Sequence, residues 1–183
     1  MVQNKKQIIH HAVFALVFIL LIFGDRITKN FAITSLRQDD ITIIPGVFTL
    51  HYLENPGAAW GIFPNAIWFF AIITIVVLGA MIYFYSRIPV QKKFLLLRFT
   101  IILLAAGAIG NFIDRMMWHY VVDFLYIKAI NFPVFNVADC YVTVTVFVLI
   151  FLFLFYYKSE ETDVILSFTA KKDGGNESAG KPD

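Results

Sequence analysis

A chain of 183 residues that is 59% hydrophobic and only 15% charged, with 20 phenylalanines, lacks the polar surface that a water-soluble domain of this size needs. Lipid is therefore the expected solvent for most of it. A formal net charge of +2, with no Lys/Arg block interleaved with aromatics, excludes a groove that tracks nucleic acid, and a single cysteine excludes an intrachain disulfide or a Cys-rich zinc site.

Taken in chain order, the first apolar run covers residues 7–24, after Lys5 and Lys6. Its basic flank resembles a secretory leader, but no small-x-small cleavage site follows and "GDRITKN" comes at once, which predicts a retained helix. His10 and His11 are adjacent, so on a helix they point apart and do not form a joint metal site. Residues 41–55, "ITIIPGVFTLHYLEN", are rich in β-branched and aromatic side chains around a Pro-Gly break, and predict two short strands about a turn. Trp60, Phe63 and Trp68 then mark a membrane boundary.

The second span, 66–86, is uncharged until its end, and the short turn "RIPVQKK" that follows packs Arg87, Lys92 and Lys93 together. Such density marks a cytoplasmic turn. The third span, 94–113, carries Arg98 one turn from its start, where the side chain is expected to snorkel to the headgroups. The fourth, 138–157, opens on Asp139, and the neighbouring Cys140 reads as a small buried hydrophobe. Four spans place both termini in the cytoplasm and the connections 25–65 and 114–137 outside. Residues 1–157 thus form a single membrane-embedded domain, and the polar tail 158–183 is expected to be cytoplasmic and disordered.

The polar residues gather at the outer ends of the spans. Asp25, Thr28 and Lys29 follow the first, Asn55 and Gly57 precede the second, and Asn111, Asp114 and Arg115 end the third. Asp123 lies between the third and fourth, and Asn136 and Asp139 open the fourth. Ordinary structural uses exist for many of these. Asp25 and Lys29 fit an i, i+4 ion pair, Asp114 and Arg115 a local pair, Asn136 a helix cap, and Gly57 a close approach or an unusual turn. A carboxylate at the edge of an apolar run nevertheless costs free energy unless it is paired or used, which makes Asp139 a candidate functional residue.

The set "DRITK", "NPGAAWGIF", "GNFIDR", "VVDF" and "FNVAD", in this order on four spans, resembles the lipoprotein signal peptidase (bacterial signal peptidase II) family from about residue 8 to residue 157. The resemblance implies an all-α membrane protein, a four-helix bundle with a small extracytoplasmic β-cradle. It implies an aspartyl endopeptidase of the bacterial cell membrane that cuts diacylglyceryl-modified prolipoproteins just before the lipid-bearing cysteine, with its site on the extracytoplasmic side. The catalytic dyad would be Asp123 and Asp139, supported by Asp25, Lys29, Asn55, Gly57, Asn111, Asp114, Arg115 and Asn136. No metal or cofactor is implied, and a monomer in the bilayer is expected.

Two carboxylates suit peptide hydrolysis because close like charges do not both ionise easily, so one keeps a proton to give while the other takes one from water. Asn55 and Asn136 are candidate donors to substrate backbone or oxyanion. Residues 123 and 139 are too far apart to share a helix face, so the dyad requires the 114–137 connection to fold back over the start of the fourth span. The competing readings are a small ion or solute transporter with Asp123, Asp139 and Arg115 as a charge relay, and a non-catalytic scaffold. The first predicts polar residues through the bilayer depth, and the second gives no reason for five polar motifs around one pocket.

Overall fold

The computed structural model describes residues 2–57 and 66–166, so Trp60, Phe63 and the tail from residue 167 lie outside the described residues. Helix α1 spans Val2–Ser35, α2 spans Ile67–Arg87, α3 spans Leu95–Trp118 after a 3-10 turn at Lys92–Phe94, and α4 spans Val137–Phe151. Four stretches are long and apolar enough to cross a membrane: Gln7–Ser35, Ile67–Arg87, Lys92–Trp118 and Val137–Tyr156. Helix α3 is the hub, packed against α1, α2 and α4. The other three present rows of bare aliphatic and aromatic side chains outward, Leu16, Ile19 and Phe23 on α1 and Trp68, Ile72 and Val76 on α2 among them. In water such faces would be untenable, whereas lipid is as apolar as they are.

The first span runs eleven residues beyond its expected end at residue 24. Asp25, Arg26 and Lys29 are expected beyond the span because charges rarely continue a membrane helix, yet Asp25 and Lys29 are fully buried and paired inside the bundle. Arg98 also departs from expectation. It is 2% exposed, its Nη1 donates to the Ile88 carbonyl at 2.6 Å, and its guanidinium lies 4.2 Å from the centroid of Tyr85. It does not snorkel to the headgroups because α3 is enclosed by its neighbours and the turn after α2 brings a carbonyl over it.

Three antiparallel strands, β1 (Ile41–Ile44), β2 (Phe48–Asn55) and β3 (Val121–Ile127), form one sheet in the order β1-β2-β3. The first two are the expected hairpin, turning at Pro45 and Gly46, whose φ of +74° suits glycine. The third strand lies in a segment read only as a connection. It follows α3 directly, because His119 adopts the left-handed conformation at φ 66° and ends that helix. After β3 the chain turns through Lys128–Ile130 and doubles back, and Phe135 exchanges backbone hydrogen bonds with Leu125 at 2.8 and 3.0 Å. That return lays Asn136 beside β3 and starts α4 there.

At the other end, α4 closes in a π-helical turn, Leu152–Tyr156, and a short helix α5, Ser159–Leu166, packs back on the bundle. Disorder was expected from residue 158; instead Ile165 joins a core with Ile88, Phe94, Leu97, Leu152 and Tyr157, and Glu161 pairs with Lys93.

Close packing beneath the sheet depends on two glycines of α3. A Cβ on Gly107 would sit 2.6 Å from the carbonyl oxygen of Ala138, and one on Gly110 would sit 2.5 Å from Oδ2 of Asp25. Gly110→Ala is therefore expected to destabilise the fold by about 1–3 kcal/mol through overpacking. Gly79→Ala, where nothing lies within 4 Å, is expected to leave it unchanged. Thermal unfolding of the two variants in detergent micelles checks the contrast.

Candidate active site

The sheet end of the bundle holds two polar clusters joined by one asparagine. The deeper cluster centres on Lys29, whose ammonium lies 3.0 Å from Asp25 Oδ2 and 2.8 Å from Asp114 Oδ2 and donates to Asn111 Oδ1 at 2.9 Å. Arg26 completes it, 2.5 Å from Asp114 Oδ1 and over the ring of Trp118. The two carboxylates also accept backbone N–H groups, Asp25 that of Ala138 at 3.1 Å and Asp114 that of Val122 at 3.2 Å. Two acids and two bases thus balance, and they lock α1, α3, β3 and the start of α4 to one another.

The expected i, i+4 pair of Asp25 and Lys29 is present, but the expected pair of Asp114 with its neighbour Arg115 is not. Adjacent residues on a helix point apart, so Asp114 faces α1 while Arg115 faces the opposite cluster. Arg115 makes no ion pair among the described residues. It donates to the carbonyls of Gly57 at 3.1 Å and Asn111 at 3.4 Å, with its guanidinium 4.8 Å from the Phe70 ring centroid.

The second cluster contains Asp123 and Asp139. Asp123 is 2% exposed on β3, where Asn55 opposes Val121 and Leu53 opposes Asp123, so Asn55 and Asp123 are diagonal neighbours on one face. Asn55 Nδ2 donates to Asp123 Oδ2 at 2.8 Å, while its Oδ1 accepts the Gly57 N–H at 3.0 Å. Gly57 contributes backbone atoms to the site, its N–H to Asn55 and its carbonyl to Arg115.

Asn136 caps α4 in a reciprocal capping box: its Oδ1 accepts the Asp139 N–H at 3.0 Å, and Asp139 Oδ2 accepts the Asn136 N–H at 3.1 Å. The same side chain donates from Nδ2 to Asp123 Oδ1 at 2.7 Å and to Asn111 Oδ1 at 3.0 Å. One residue therefore touches both carboxylates. Both amide hydrogens of Asn136 are engaged, by Asp123 and Asn111, and the residue is fully buried, so here it supports the carboxylates from behind. Among the described residues, Asn55 Nδ2 donates one hydrogen bond, to Asp123.

Asn111 links the clusters. Lys29 has only donors, so it fixes the amide oxygen of Asn111 toward itself and turns Nδ2 to Asp139 Oδ1, at 2.7 Å. Each carboxylate of the pair accepts two hydrogen bonds from uncharged donors. Burial, and secondarily the charge of Asp139, push Asp123 up to about 7, with the donors Asn55 and Asn136 opposing.

Both carboxylates face a cavity of about 550 Å³ walled by Val121, Ile127, the segment Phe132–Phe135 and the α4 residues Cys140, Val142, Thr143 and Val144. Cys140 is half-buried in that wall, less enclosed than expected. The wall segment Phe132–Phe135 went unremarked in the sequence, because an irregular apolar stretch carries no periodicity. A second cavity of about 500 Å³ adjoins it, sharing Asn55 and Phe132–Val134 and lined further by His51, Glu54, Tyr126 and Asn131.

A four-span bundle opening at one end beside an interacting pair of carboxylates, Asp123 buried and Asp139 partly exposed, has the architecture of a multi-pass membrane enzyme. The family described as signal peptidase (SPase) II matches residues 17–155. The chain is 39% identical over 126 residues to the lipoprotein signal peptidase of Latilactobacillus sakei subsp. sakei (strain 23K), covering 68% of this chain and 82% of that protein. It is 38% identical over 135 residues to that of Streptococcus pyogenes serotype M5 (strain Manfredo), covering 72% and 86%. Two solved structures described as bacterial membrane enzymes superpose with TM-scores of 0.70 and 0.69 at 32% and 34% identity, covering 90% and 80% of this chain and 95% of each of theirs. The chain belongs to the signal peptidase II family and is a peptidase.

Proposed function

We propose that this chain is an aspartyl endopeptidase that removes the signal peptide from diacylglyceryl-modified prolipoproteins, hydrolysing the bond immediately before the lipidated cysteine. The observation that carries the reading is the bridge at Asn136, which touches Asp139 and Asp123 at 3.1 and 2.7 Å and so brings together two acids distant in sequence. Close like charges do not both ionise easily, so a proton stays in the site near neutral pH. The ionised member takes a proton from water as it attacks the carbonyl carbon, and the other protonates first the carbonyl oxygen and then the departing amine. No step needs a metal.

The apolar wall of the cavity suits acyl chains and a hydrophobic signal segment, while the adjoining cavity brings His51, Glu54 and Asn131 to the other side of Asn55. Lys92 and Lys93 stand at the opposite end of α3, about 36 Å away at 1.5 Å per residue. Placing the basic turn on the cytoplasmic side, the arrangement that loop charge favours, puts the dyad and both termini on opposite sides of the membrane.

The protein purified in lipid is expected to cut a diacylglyceryl-modified precursor and to leave the same precursor, unmodified at its cysteine, intact. Mass spectrometry of the products locates the cut. Equal cleavage of both precursors, or a cut elsewhere, would refute the reading.

A further inference from the structure

Three charged residues line the main cavity among those described: Asp123, Asp139 and Arg115. The cation has no direct ion pair among the described residues. Asp114, its sequence neighbour, is already held by Arg26 and Lys29, and that deeper cluster is neutral by itself. Among the described residues, Arg115 bonds to the neutral carbonyls of Gly57 and Asn111, which orient the guanidinium without cancelling its charge. It is also close enough to interact electrostatically with both Asp139 and Asp123. Stacking on Phe70 holds the plane of the guanidinium.

The chemistry of the site creates one anion that the substrate lacks. Water adds its oxygen to the carbonyl carbon, the C–N bond breaks, and the amide becomes a carboxylate on the signal peptide and an ammonium on the cysteine fragment. The dyad returns to its single shared proton. Once the amine has left, the new carboxylate faces a negatively charged dyad in an apolar cavity, where like charges repel strongly.

We propose that Arg115 receives this carboxylate, so that the enzyme binds the C-terminal acid of the released signal peptide in preference to the corresponding amide. Guanidinium matches a carboxylate with paired parallel hydrogen bonds, which an ammonium at the same place does not reproduce. Product inhibition then follows from the same cation that steadies the site. The inference rests on the proposed function, since only cleavage here produces the carboxylate here.

The test is equilibrium binding, without turnover, of two synthetic signal peptides that differ only in ending as the free acid or as the amide. At neutral pH the wild-type protein in lipid is expected to bind the acid about tenfold or more tightly than the amide. Arg115→Gln is expected to reduce that ratio to about one to two, and Arg115→Lys to leave an intermediate value. Thermal unfolding checks that both variants are folded, and the wild-type comparison needs no variant at all.

A wild-type ratio near one would overturn the proposal, as would a ratio that persists in Arg115→Gln. Equal losses for acid and amide would also overturn it, by showing that Arg115 reads neutral carbonyls. If the wild-type protein prefers the acid but never cuts a lipidated precursor, the proposed function falls and the carboxylate site stands.

Discussion

Asp139→Asn and Asp123→Asn are each expected to lower cleavage of a lipidated precursor by about 10³-fold or more, the scale of lost general acid–base catalysis. Each variant should remain folded, though not untouched. An amide can accept at only one end, so Asp123→Asn gives up one of the bonds from Asn55 and Asn136, and Asp139→Asn one of those from Asn111 and the Asn136 N–H. That is a modest loss, about 1–3 kcal/mol. A single-turnover assay beside a thermal melt separates the two effects, and turnover retained by either variant would remove the dyad from the mechanism.

The elevated Asp123 also fixes the direction of two pH effects. Activity should fall as pH rises through about 7, where the shared proton is lost. Stability follows from linkage. Between the unfolded carboxylate value near 4 and the folded value near 7 the native state binds the extra proton, so stability declines as pH rises across that window. The cost is complete above about 7 and absent below about 4. Asp123→Asn removes it, so the melting temperature of the variant relative to wild type should be higher at pH 8 than at pH 5.

The spans were legible because runs of about 20 apolar residues have no other stable solution in a bilayer. The β1–β2 hairpin was legible from its β-branched residues and Pro-Gly turn. Errors arose where tertiary contact overruled a local rule. Asp25, Arg26 and Lys29 read as lying beyond the span because Asp114, the acid that pairs with Lys29 and Arg26, is more than 80 residues away. Arg115 was given to Asp114 by adjacency, although a helix turns neighbours apart. The β3 strand passed as a connection because its seven residues are stabilised by pairing with β2 and by the return of Phe135, neither of which is local. Helix α5 was missed for a similar reason: the acidic Ser159–Thr162 segment is unremarkable until Ile165 meets the core. Gly107 and Gly110 look ordinary in a membrane helix until the atoms opposite them are known.

Lys29→Met should be the most destabilising single substitution near the site, with an expected loss of about 3–5 kcal/mol, as for removal of one partner from a buried ion network. The methionine fills the space but leaves Asp25 and Asp114, both fully buried, with Arg26 as the only remaining nearby cation of the cluster. Each acid also ties a separate element to the bundle, Asp25 the first turn of α4 and Asp114 the start of β3, so charge repulsion between them loosens both supports of the carboxylate pair. Asn111 loses one of the two donors to its amide oxygen and keeps the other, Asn136 Nδ2, so its grip on Asp139 is weakened and not reversed. A double change, Lys29→Met with Asp25→Asn, removes one of the uncompensated charges and is expected to recover part of the stability without recovering activity. Unfolding measured in micelles for the single and double variants decides the matter: a double variant no more stable than the single one would mean that Lys29 acts by packing alone.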